Sequence, residues 1–319
     1  MATPGKPARN AAPAGTPGVL TSRDNRWLKE FRLALRGGLP TESGAVGVEG
    51  VRLVEEALRS GCRIAAVLFS ESGERHRERL APFVNKTEMA FPVLHTTDHL
   101  FEGLADTEHP QGVAALVHPR TATLDDLLRA PASACAPLLV VLAGVQDPGN
   151  VGTILRTAAA FGATGAVTAA SGQSGTASPF SPKALRASAG AALHLPILPG
   201  MSLPILLTQL KIANVRTLAT SAHELPQLQA SDIGAHAAPH SFIIPPLLSP
   251  WEVDWCEPVA LLVGNEGAGL PEEVERSADA RIRIPIAGGV ESLNAAAAAA
   301  VLFYEAARQR NSLSKKGTL

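Results

Sequence analysis

The amino-acid sequence predicts an α/β protein of two domains, a small α/β sandwich followed by a larger domain with a doubly wound parallel sheet. The chain has 319 residues, a length that suggests about two domains. Apolar segments of strand length alternate with segments of helical periodicity, which is the pattern of α/β folds. Hydrophobic residues make up 46 % and charged residues 18 % of the sequence, so the chain has ample apolar material for a folded core.

The smaller domain is predicted over residues 20–117, after a Pro-, Ala- and Gly-rich tail of residues 1–19 that we expect to be disordered. Its first helix is indicated by Leu28, Phe31 and Leu35, which recur at helical spacing. The other predicted elements of this domain are strands at 46–48, 64–70, 91–95 and 112–117 and helices at 50–59 and 74–84. This alternation of strands and helices indicates a small α/β sandwich.

The larger domain is predicted over residues 138–311, after a linker of residues 118–137 and before a tail of residues 312–319. Its strands are expected at 138–143, 166–169, 215–220, 259–263 and 281–285. One helix is expected to follow the first strand and its loop and to end at 161. Further helices are expected at 182–192, 271–275 and 292–310. Residues 225–250 are rich in Pro, Ala and His and are expected to form an irregular insertion. Ligands of such a sheet gather at the carboxyl ends of its strands.

Charge and hydropathy exclude several classes of protein. The net charge is −1, so a nucleic-acid partner would have to be held by local basic patches. The longest run without a strongly polar side chain, 295–304, is shorter than the 18 to 20 or so residues that span a bilayer. The N-terminus lacks the apolar segment of a signal peptide, and a transit peptide remains an alternative to a disordered arm. We therefore expect a cytoplasmic protein.

The sequence predicts neither a disulfide framework nor a metal site. The cysteines lie far apart without a C-x-x-C pair, and they are Cys62, Cys135 and Cys256. Two histidine pairs have the i,i+4 spacing that can place two metal ligands on one helix face, and they are His95/His99 and His236/His240. The Pro-rich surroundings of the second pair and the lack of a nearby third ligand argue against metal binding.

The first polar motif follows the predicted strand 138–143 and runs from Asp147 to Arg156. Asn150 is expected to cap the helix that begins there. A helical wheel places Arg156 opposite the apolar face, with Gly152 and Ala160 four residues before and after it. These small neighbours would leave room for a ligand or another subunit to approach the guanidinium. From this segment alone, a solvated arginine is an equally good interpretation.

Two further motifs follow later strands of the same predicted sheet. In Gly264–Gly269 three glycines surround Glu266, where a purely structural turn would need no carboxylate. The segment lacks both the P-loop and the dinucleotide-binding fingerprints. The third motif, 284–294, precedes six alanines, and Ser292 is expected to cap the alanine-rich helix. No G-x-S-x-G motif supports a serine hydrolase.

Together the three motifs resemble those of the SpoU/TrmH family of RNA 2′-O-ribose methyltransferases, in order and in spacing. The smaller domain is similar to the family's substrate-binding domain, which is related to ribosomal protein L30e, on residues 48–50 and 109–113. The resemblance covers nearly the whole chain apart from the two tails. It implies a C-terminal SPOUT domain with a deep trefoil knot, S-adenosylmethionine as cofactor, RNA as substrate and a homodimer.

The resemblance also implies roles for individual residues. The expected catalytic residues are Arg156, Asn150, Glu266, Ser292 and Asn294. The residues expected to meet the cofactor are Gly264, Ile284 and Leu293. The residues expected to bind RNA are Arg23, Lys29 and Arg186. Because a guanidinium is a poor base, we expect Arg156 to bind phosphate and to stabilise the emerging alkoxide.

Alternatives from other classes remain at this point. A nucleotide-dependent oxidoreductase would share the doubly wound sheet, although the dinucleotide fingerprint is missing. A non-catalytic RNA-binding relic is a further alternative, although the motif residues are intact. The separate smaller domain favours ribosomal RNA over transfer RNA as substrate. The segment 23–36 carries five basic and two acidic residues, which favours a role for the smaller domain in RNA binding.

Overall fold

The computed structural model describes residues 18–84, 91–129, 136–170, 175–222, 225 and 244–316. Most of the predicted insertion therefore lies outside the described residues, as do Cys135, His236 and His240. The chain divides into two compact units, the first ending at His118 and the second beginning at Pro119. Both units combine helices with a β-sheet, which confirms the predicted α/β class.

The first unit is built on a four-stranded sheet with the order β1-β4-β2-β3. Its strands are β1 (Val46–Glu49), β2 (Arg63–Ser70), β3 (Val93–Thr96) and β4 (Val113–His118). Its α-helices in the described residues are α1 (Arg26–Leu35), α2 (Val51–Arg59), α3 (Arg77–Val84) and α4 (Asp98–Glu102). Strand β4 pairs antiparallel with β1 and β2, while β2 and β3 are parallel.

Helix α1 forms where its apolar spacing predicts it. Leu28, Phe31 and Leu35 are fully buried in the core of the first unit, together with Phe101 of α4. The Asn25 side chain accepts a hydrogen bond from the Trp27 amide and so caps the helix. Helix α4 is absent from the sequence prediction, because five residues are too few to show a helical period.

The second unit contains a seven-stranded sheet with the order β7-β6-β5-β10-β8-β11-β9, in which every pairing is parallel. The strands are β5 (Leu138–Ala143), β6 (Gly165–Ala170), β7 (Ile197–Ser202), β8 (Arg216–Thr220), β9 (Leu247–Leu248), β10 (Val259–Val263) and β11 (Ala280–Ile282). The helices in the described residues are α5 (Leu124–Leu128), α6 (Pro148–Ala160), α7 (Pro182–Ala187), α8 (Leu203–Ile212), α9 (Glu272–Ser277) and α10 (Ala295–Lys316).

Strands β5 and β10 lie at the centre of this sheet, and both match their predicted bounds. Every residue of each strand is buried, as a strand covered on both faces requires. Successive side chains point to opposite faces. On one face, Leu139 and Val141 share a core cluster with Leu206 and Leu210 of α8. None of the helices in the described part of the chain combines the length and hydropathy needed to span a membrane.

The structure corrects the predicted element list in several places. The sheet has seven strands rather than five, because β7 contains Pro and Gly and β9 is only two residues long. Helix α8 was also not predicted. The helix predicted at 182–192 ends at Ala187, since Ala189 and Gly190 adopt positive φ angles of 49° and 85°. Helix α10 begins at Ala295 rather than at 292 and extends into the predicted tail.

Helix α5 lies within the segment predicted as a linker, yet it belongs to the second unit. Thr123 and Asp126 form a capping box that starts the helix. Leu127 is fully buried in the same core cluster as β5. The domain bounds taken from the sequence and the trefoil knot implied by the resemblance stay predictions.

Helix α10 is fixed near its C-terminal end by Arg310. The Arg310 guanidinium donates hydrogen bonds to the carbonyls of Ala136 (2.6 Å), Trp255 (2.7 Å), Glu257 (3.1 Å) and Pro137 (3.3 Å). These carbonyls belong to the segments that lead into β5 and β10. One side chain therefore ties α10 to the entry points of the two central strands.

We predict that Arg310→Ala destabilises the second unit by about 2 kcal/mol or more, because several carbonyls lose a charged donor. Thermal unfolding of the full chain, followed by circular dichroism, measures the loss. Arg308→Ala serves as the control, since the Arg308 side chain is half-exposed and forms an ion pair with Glu305, three residues before it in the same helix. Equal melting temperatures for the two variants would contradict this role of Arg310.

Candidate active site

The site is assembled at the carboxyl ends of β5 and β10, which are neighbours in the sheet. Residues 144–147 follow β5 and residues 264–269 follow β10, so the two loops lie side by side. Helix α6 begins directly after the first loop. The sequence places each polar motif after a strand, and in the structure hydrogen bonds join residues of these motifs.

Glu266 joins the two loops. Its carboxylate accepts hydrogen bonds from the backbone amides of Gln146 (3.1 Å) and Asp147 (3.0 Å) and from the Asn150 side-chain amide (3.0 Å). Partial burial raises the pKa of the Glu266 carboxyl, but the hydrogen bonds from Asn150, Asp147 and Gln146 outweigh burial and hold this pKa below its ordinary value. Glu266 is therefore ionised at neutral pH and holds the β5 loop in place.

Asn150 extends the connection to the third motif. Its side-chain oxygen accepts a hydrogen bond from the Asn294 side-chain amide at 3.1 Å. The Asn294 oxygen in turn accepts hydrogen bonds from the amides of Ala296 (2.9 Å) and Ala297 (3.3 Å), which start α10. The chain Glu266–Asn150–Asn294, which we call the motif network, thus links residues from all three motifs.

Two predicted helix caps are wrong, and the motif network explains why. Helix α6 is capped by Asp147, whose carboxylate accepts a hydrogen bond from the Asn150 amide at 2.9 Å. Helix α10 is capped by Asn294 and not by Ser292, two residues earlier. The Asn150 side chain is instead engaged with Glu266 and Asn294.

Asp147 also binds a residue that the sequence analysis did not single out. Its second carboxylate oxygen lies 2.6 Å from Lys183 Nζ in α7. The Lys183 ammonium and the Asn150 amide hold the pKa of the Asp147 carboxyl below its ordinary value. Lys183 thereby connects α7 to the start of α6.

Asn265 and Thr176 stabilise the loops and were also not predicted. The Asn265 side chain donates to the Gly144 carbonyl (3.0 Å) and accepts from the amides of Gly267 (2.9 Å) and Ala268 (3.0 Å). The Thr176 hydroxyl accepts from the Gly144 amide (2.9 Å) and lies close to two strand-end carbonyls. Asn265 lies in the Gly264–Gly269 motif, whereas no sequence signal marks Thr176.

Gly264 lacks a side chain because the β10 loop folds back onto it. A Cβ atom at this position would overlap the backbone of Gly269 and Leu270. Asn265 and Gly269 exchange backbone hydrogen bonds of 2.9 and 3.0 Å across the same turn. The first reason for glycine here is therefore closure of the loop itself.

Arg156 lies on the exposed side of α6, as its position on the helical wheel predicts. Val151, Ile154 and Leu155 on the other side are fully buried. Within the described residues, no acceptor lies within hydrogen-bond distance of the Arg156 guanidinium. The expectation that Gly152 leaves room for a ligand is wrong, because a Cβ there would overlap the Ala184 carbonyl of α7.

The remaining predicted site residues are not part of the motif network. Ser292 is exposed and makes no hydrogen bond within the part of the chain that the structure describes. Ile284 is half-buried just after β11, Leu293 precedes the cap of α10, and Arg186 is exposed on α7. Their assigned roles stay predictions.

The loop between β11 and α10 has the chemistry that an adenosine group requires. Residues 284–293 form neither helix nor strand, so their peptide groups are not used in regular backbone pairing. Ile286, Val290 and Leu293 expose 39, 60 and 39 % of their surface. Exposed apolar side chains beside available peptide groups suit a flat ring with polar edges. Among the described residues, no group of three His, Cys, Asp or Glu side chains could hold a metal ion.

The residues predicted to bind RNA in the first unit are partly paired. Arg23 Nη2 lies 2.9 Å from His99 Nε2, and Lys29 forms an ion pair with Asp24 at 3.1 Å. His95 and His99, considered as metal ligands, lie in β3 and α4 and have different partners.

A parallel sheet with polar loops at its carboxyl edge is typical of α/β proteins that bind a ligand at that edge. Family models narrow this class. Residues 137–304 match the SpoU rRNA methylase family, and residues 48–122 match the RNA 2′-O ribose methyltransferase substrate-binding domain. The chain belongs to the SpoU family, as its resemblance predicts.

Individual relatives match over nearly the whole chain. A tRNA/rRNA methyltransferase of Synechocystis is 32 % identical and aligns over 93 % of this chain and 96 % of its own length. The 23S rRNA (guanosine(2553)-2′-O)-methyltransferase RlmP of Bacillus subtilis is 30 % identical and aligns over 89 % of this chain and 97 % of its own length. The crystal structure of an AdoMet-bound rRNA methyltransferase from Sinorhizobium meliloti superposes with a TM-score of 0.72, with 29 % identity over 92 and 98 % of the two chains.

We predict that Glu266→Gln lowers methyl transfer at least about tenfold, because a neutral amide replaces the charged acceptor of three donors. The pKa values of Glu266 and Asp147 are depressed in the folded protein. Their contribution to stability is therefore present at neutral pH and lost as the pH falls below about 4. Melting temperatures at pH 7 and at about pH 3 should differ less for Glu266→Gln than for the wild type.

Glu273→Gln is the matched control, since Glu273 is exposed on α9 outside the motif network. It should keep the activity and the pH dependence of the wild type. A Glu266→Gln variant that behaves like this control would remove Glu266 from the site.

Proposed function

We propose that the protein is an S-adenosylmethionine-dependent methyltransferase that modifies a ribose 2′-hydroxyl in ribosomal RNA. The observation that carries the proposal is the motif network, which joins residues of all three motifs on the unit that carries Arg156. The 23S rRNA activity named for the Bacillus subtilis relative supports ribosomal RNA as the substrate. Transfer RNA is the alternative, and the cytoplasm is the expected compartment.

The cofactor is assigned to the loops after β10 and β11, at Gly264, Ile284 and Leu293. The exposed apolar side chains of the second loop cover the faces of an adenine ring, and the free peptide groups bind its edges. When bound, S-adenosylmethionine supplies an electrophilic methyl group on a sulfonium. The AdoMet-bound structure of the Sinorhizobium meliloti relative supports S-adenosylmethionine as the cofactor.

Arg156 acts on the RNA. A ribose hydroxyl is a weak nucleophile, so its oxygen needs stabilisation as the proton leaves. Arginine side chains are poor bases, so Arg156 is not assigned the role of base. Arg156 instead binds the adjacent phosphate and stabilises negative charge on the 2′-oxygen, while a phosphate oxygen accepts the proton.

Asn150, Glu266 and Asn294 position the reacting groups. Their hydrogen bonds fix the start of α6 relative to the β10 loop, and the same helix carries Arg156 two turns further on. Ser292 lies at the exposed end of the cofactor loop and orients the ribose there.

The active form is a homodimer. Helix α10 packs on α6, and it also exposes two neighbouring apolar side chains, Val301 by 42 % and Tyr304 by 58 %. The Tyr304 ring lies edge-on to Phe161 with centroids 5.9 Å apart. A second copy covers this surface, and sedimentation equilibrium of the full chain tests the assembly.

Two experiments test the activity. Thermal-shift titration with S-adenosylmethionine, S-adenosylhomocysteine and NAD separates a methyltransferase from an oxidoreductase, and only the first two should raise the melting temperature. Mapping of 2′-O-methyl groups in RNA from a deletion strain then identifies the target. If the deletion strain lacks a 2′-O-methyl group in transfer RNA alone, the substrate is transfer RNA and not ribosomal RNA.

We predict that Arg156→Ala lowers methyl transfer at least about 100-fold while cofactor affinity stays within about twofold, because Arg156 contacts the RNA. Arg156→Lys should fail as well, since an ammonium does not reproduce bidentate phosphate contact. Arg129→Ala is the control, because Arg129 is an exposed arginine of the same unit whose partner is Asp126. Substantial activity in either Arg156 variant would exclude the assigned role.

A second prediction concerns RNA binding by the first unit. The double charge reversal Arg23→Glu and Lys29→Glu should weaken binding of ribosomal RNA. It should also reduce the log–log salt slope by about 1.4 to 1.8, as expected for two lost phosphate contacts. Filter binding across a salt series measures both quantities. Arg77→Glu, on α3 of the same unit, is the control, and an unchanged slope in the double variant would place RNA binding elsewhere.

A further inference from the structure

Lys183 lies across the start of α6. Its ammonium is 2.6 Å from Asp147, and its Cε atom would stand 3.6 Å from a Cβ built on Gly149. The side chain thus passes over the first turn of α6 at a residue that has no side chain. It ends beside the backbone of Asn150, whose side chain belongs to the motif network.

The ion pair alone gives little reason for a lysine at this position. The side chains of Lys183 and Asp147 are 59 and 44 % exposed. An ion pair so open to water adds little to stability. Asp147 can cap α6 without it, since a separate oxygen accepts the Asn150 amide. The ammonium remains accessible to a second, more negative partner.

Lys183 and Arg156 lie along the line where helices α6 and α7 pack against each other. Helix α7 runs along α6, because Gly149 lies beside Lys183 and Gly152 beside Ala187. Arg156 follows Gly152 by one helical turn and lies on the same side of α6. We call this line of contact the α6–α7 seam. From Gly149 to Arg156 it measures about 10 Å, the length of about three nucleotides of a stacked strand.

The charges along the α6–α7 seam favour a polyanion. Lys183, Arg156 and Arg186 are exposed cations on the two helices. Of the nearby carboxylates, Glu266 is occupied by three donors and Asp147 by the Asn150 amide and Lys183 itself. The α6–α7 seam therefore presents exposed positive charge, on a chain whose total charge is −1.

We infer that Lys183 binds a backbone phosphate of the substrate RNA near the target ribose, with Asp147 holding the ammonium in position until RNA arrives. This inference rests on the proposed function. The phosphodiester takes the place of Asp147 as partner of Lys183, and the strand follows the α6–α7 seam towards Arg156. Lys183 acts as a point charge, so an arginine can replace it in part.

The test uses the full chain and unmodified 23S ribosomal RNA transcribed in vitro. Lys183→Gln should raise the KM for RNA about four- to fivefold at about 0.15 M salt and lower the log–log salt slope of RNA binding by about 0.7 to 0.9, the effect of one phosphate contact. The kcat and the affinity for S-adenosylmethionine should stay within twofold. Lys183→Arg should restore most of the RNA affinity.

Lys211→Gln is the matched control. Lys211 is an exposed lysine of the same unit on α8, which packs on the other face of the sheet from the α6–α7 seam. Its removal changes the net charge equally and should leave KM and slope unchanged. If Lys183→Gln lowers the melting temperature and kcat as Asp147→Asn does, with an unchanged salt slope, Lys183 is structural and the inference is wrong.

The outcome for Lys183 is separate from that for the proposed function. A wild-type protein that binds the RNA but transfers no methyl group to it contradicts the proposed substrate, while the salt slope of binding still decides the role of Lys183. An active wild type with equal slopes for Lys183→Gln and Lys211→Gln contradicts the inference alone.

Discussion

The position of the Asn150 side chain is the constraint on which the rest of the site depends. Its amide donates to Glu266, 116 residues away, and its oxygen accepts from Asn294, 144 residues away. This arrangement requires β5 and β10 to be neighbours, the β10 loop to close over Gly264, and α10 to start at Asn294. Near the other end of α10, Arg310 ties the helix to the entry points of the same two strands. The two central strands therefore fix the loops of the site, and α10, anchored to the same strands by Arg310, fixes Asn294.

Much of this arrangement could be predicted from the sequence. The central strands were placed correctly because burial on both faces demands unbroken apolar runs, as in β5 and β10. The meeting of the motifs followed from the rule that the carboxyl ends of parallel strands share one edge of the sheet. Glu266 was predicted to be functional because a simple turn needs no carboxylate, and in the structure its carboxylate has the structural role of joining two loops.

The parts that were not predictable depend on distant partners or on very short segments. Near the start of α6 both Asp147 and Asn150 can cap a helix, and the choice is decided by Lys183, Glu266 and Asn294. Ser292 and Asn294 can both cap α10. The hydrogen bond from Asn294 to Asn150, which the sequence does not reveal, goes with Asn294 as the cap. Strand β9 and helix α4 are too short to show a period. The early end of α7 arises from positive φ angles, one of them at an alanine.

The polar groups of the site are of two kinds: those that are hydrogen-bonded to other parts of the protein, and Arg156, which has no acceptor among the described residues. Glu266, Asn150 and Asn294 have their hydrogen-bonding capacity used by one another and by backbone amides, so they are held in fixed positions without a ligand. Arg156 sits on the same rigid helix, but no described residue provides an acceptor for it. A guanidinium with five donors binds best to a planar or tetrahedral oxyanion. The protein fixes the helix and leaves this cation exposed, and the proposed function assigns it a phosphodiester of the RNA as its acceptor.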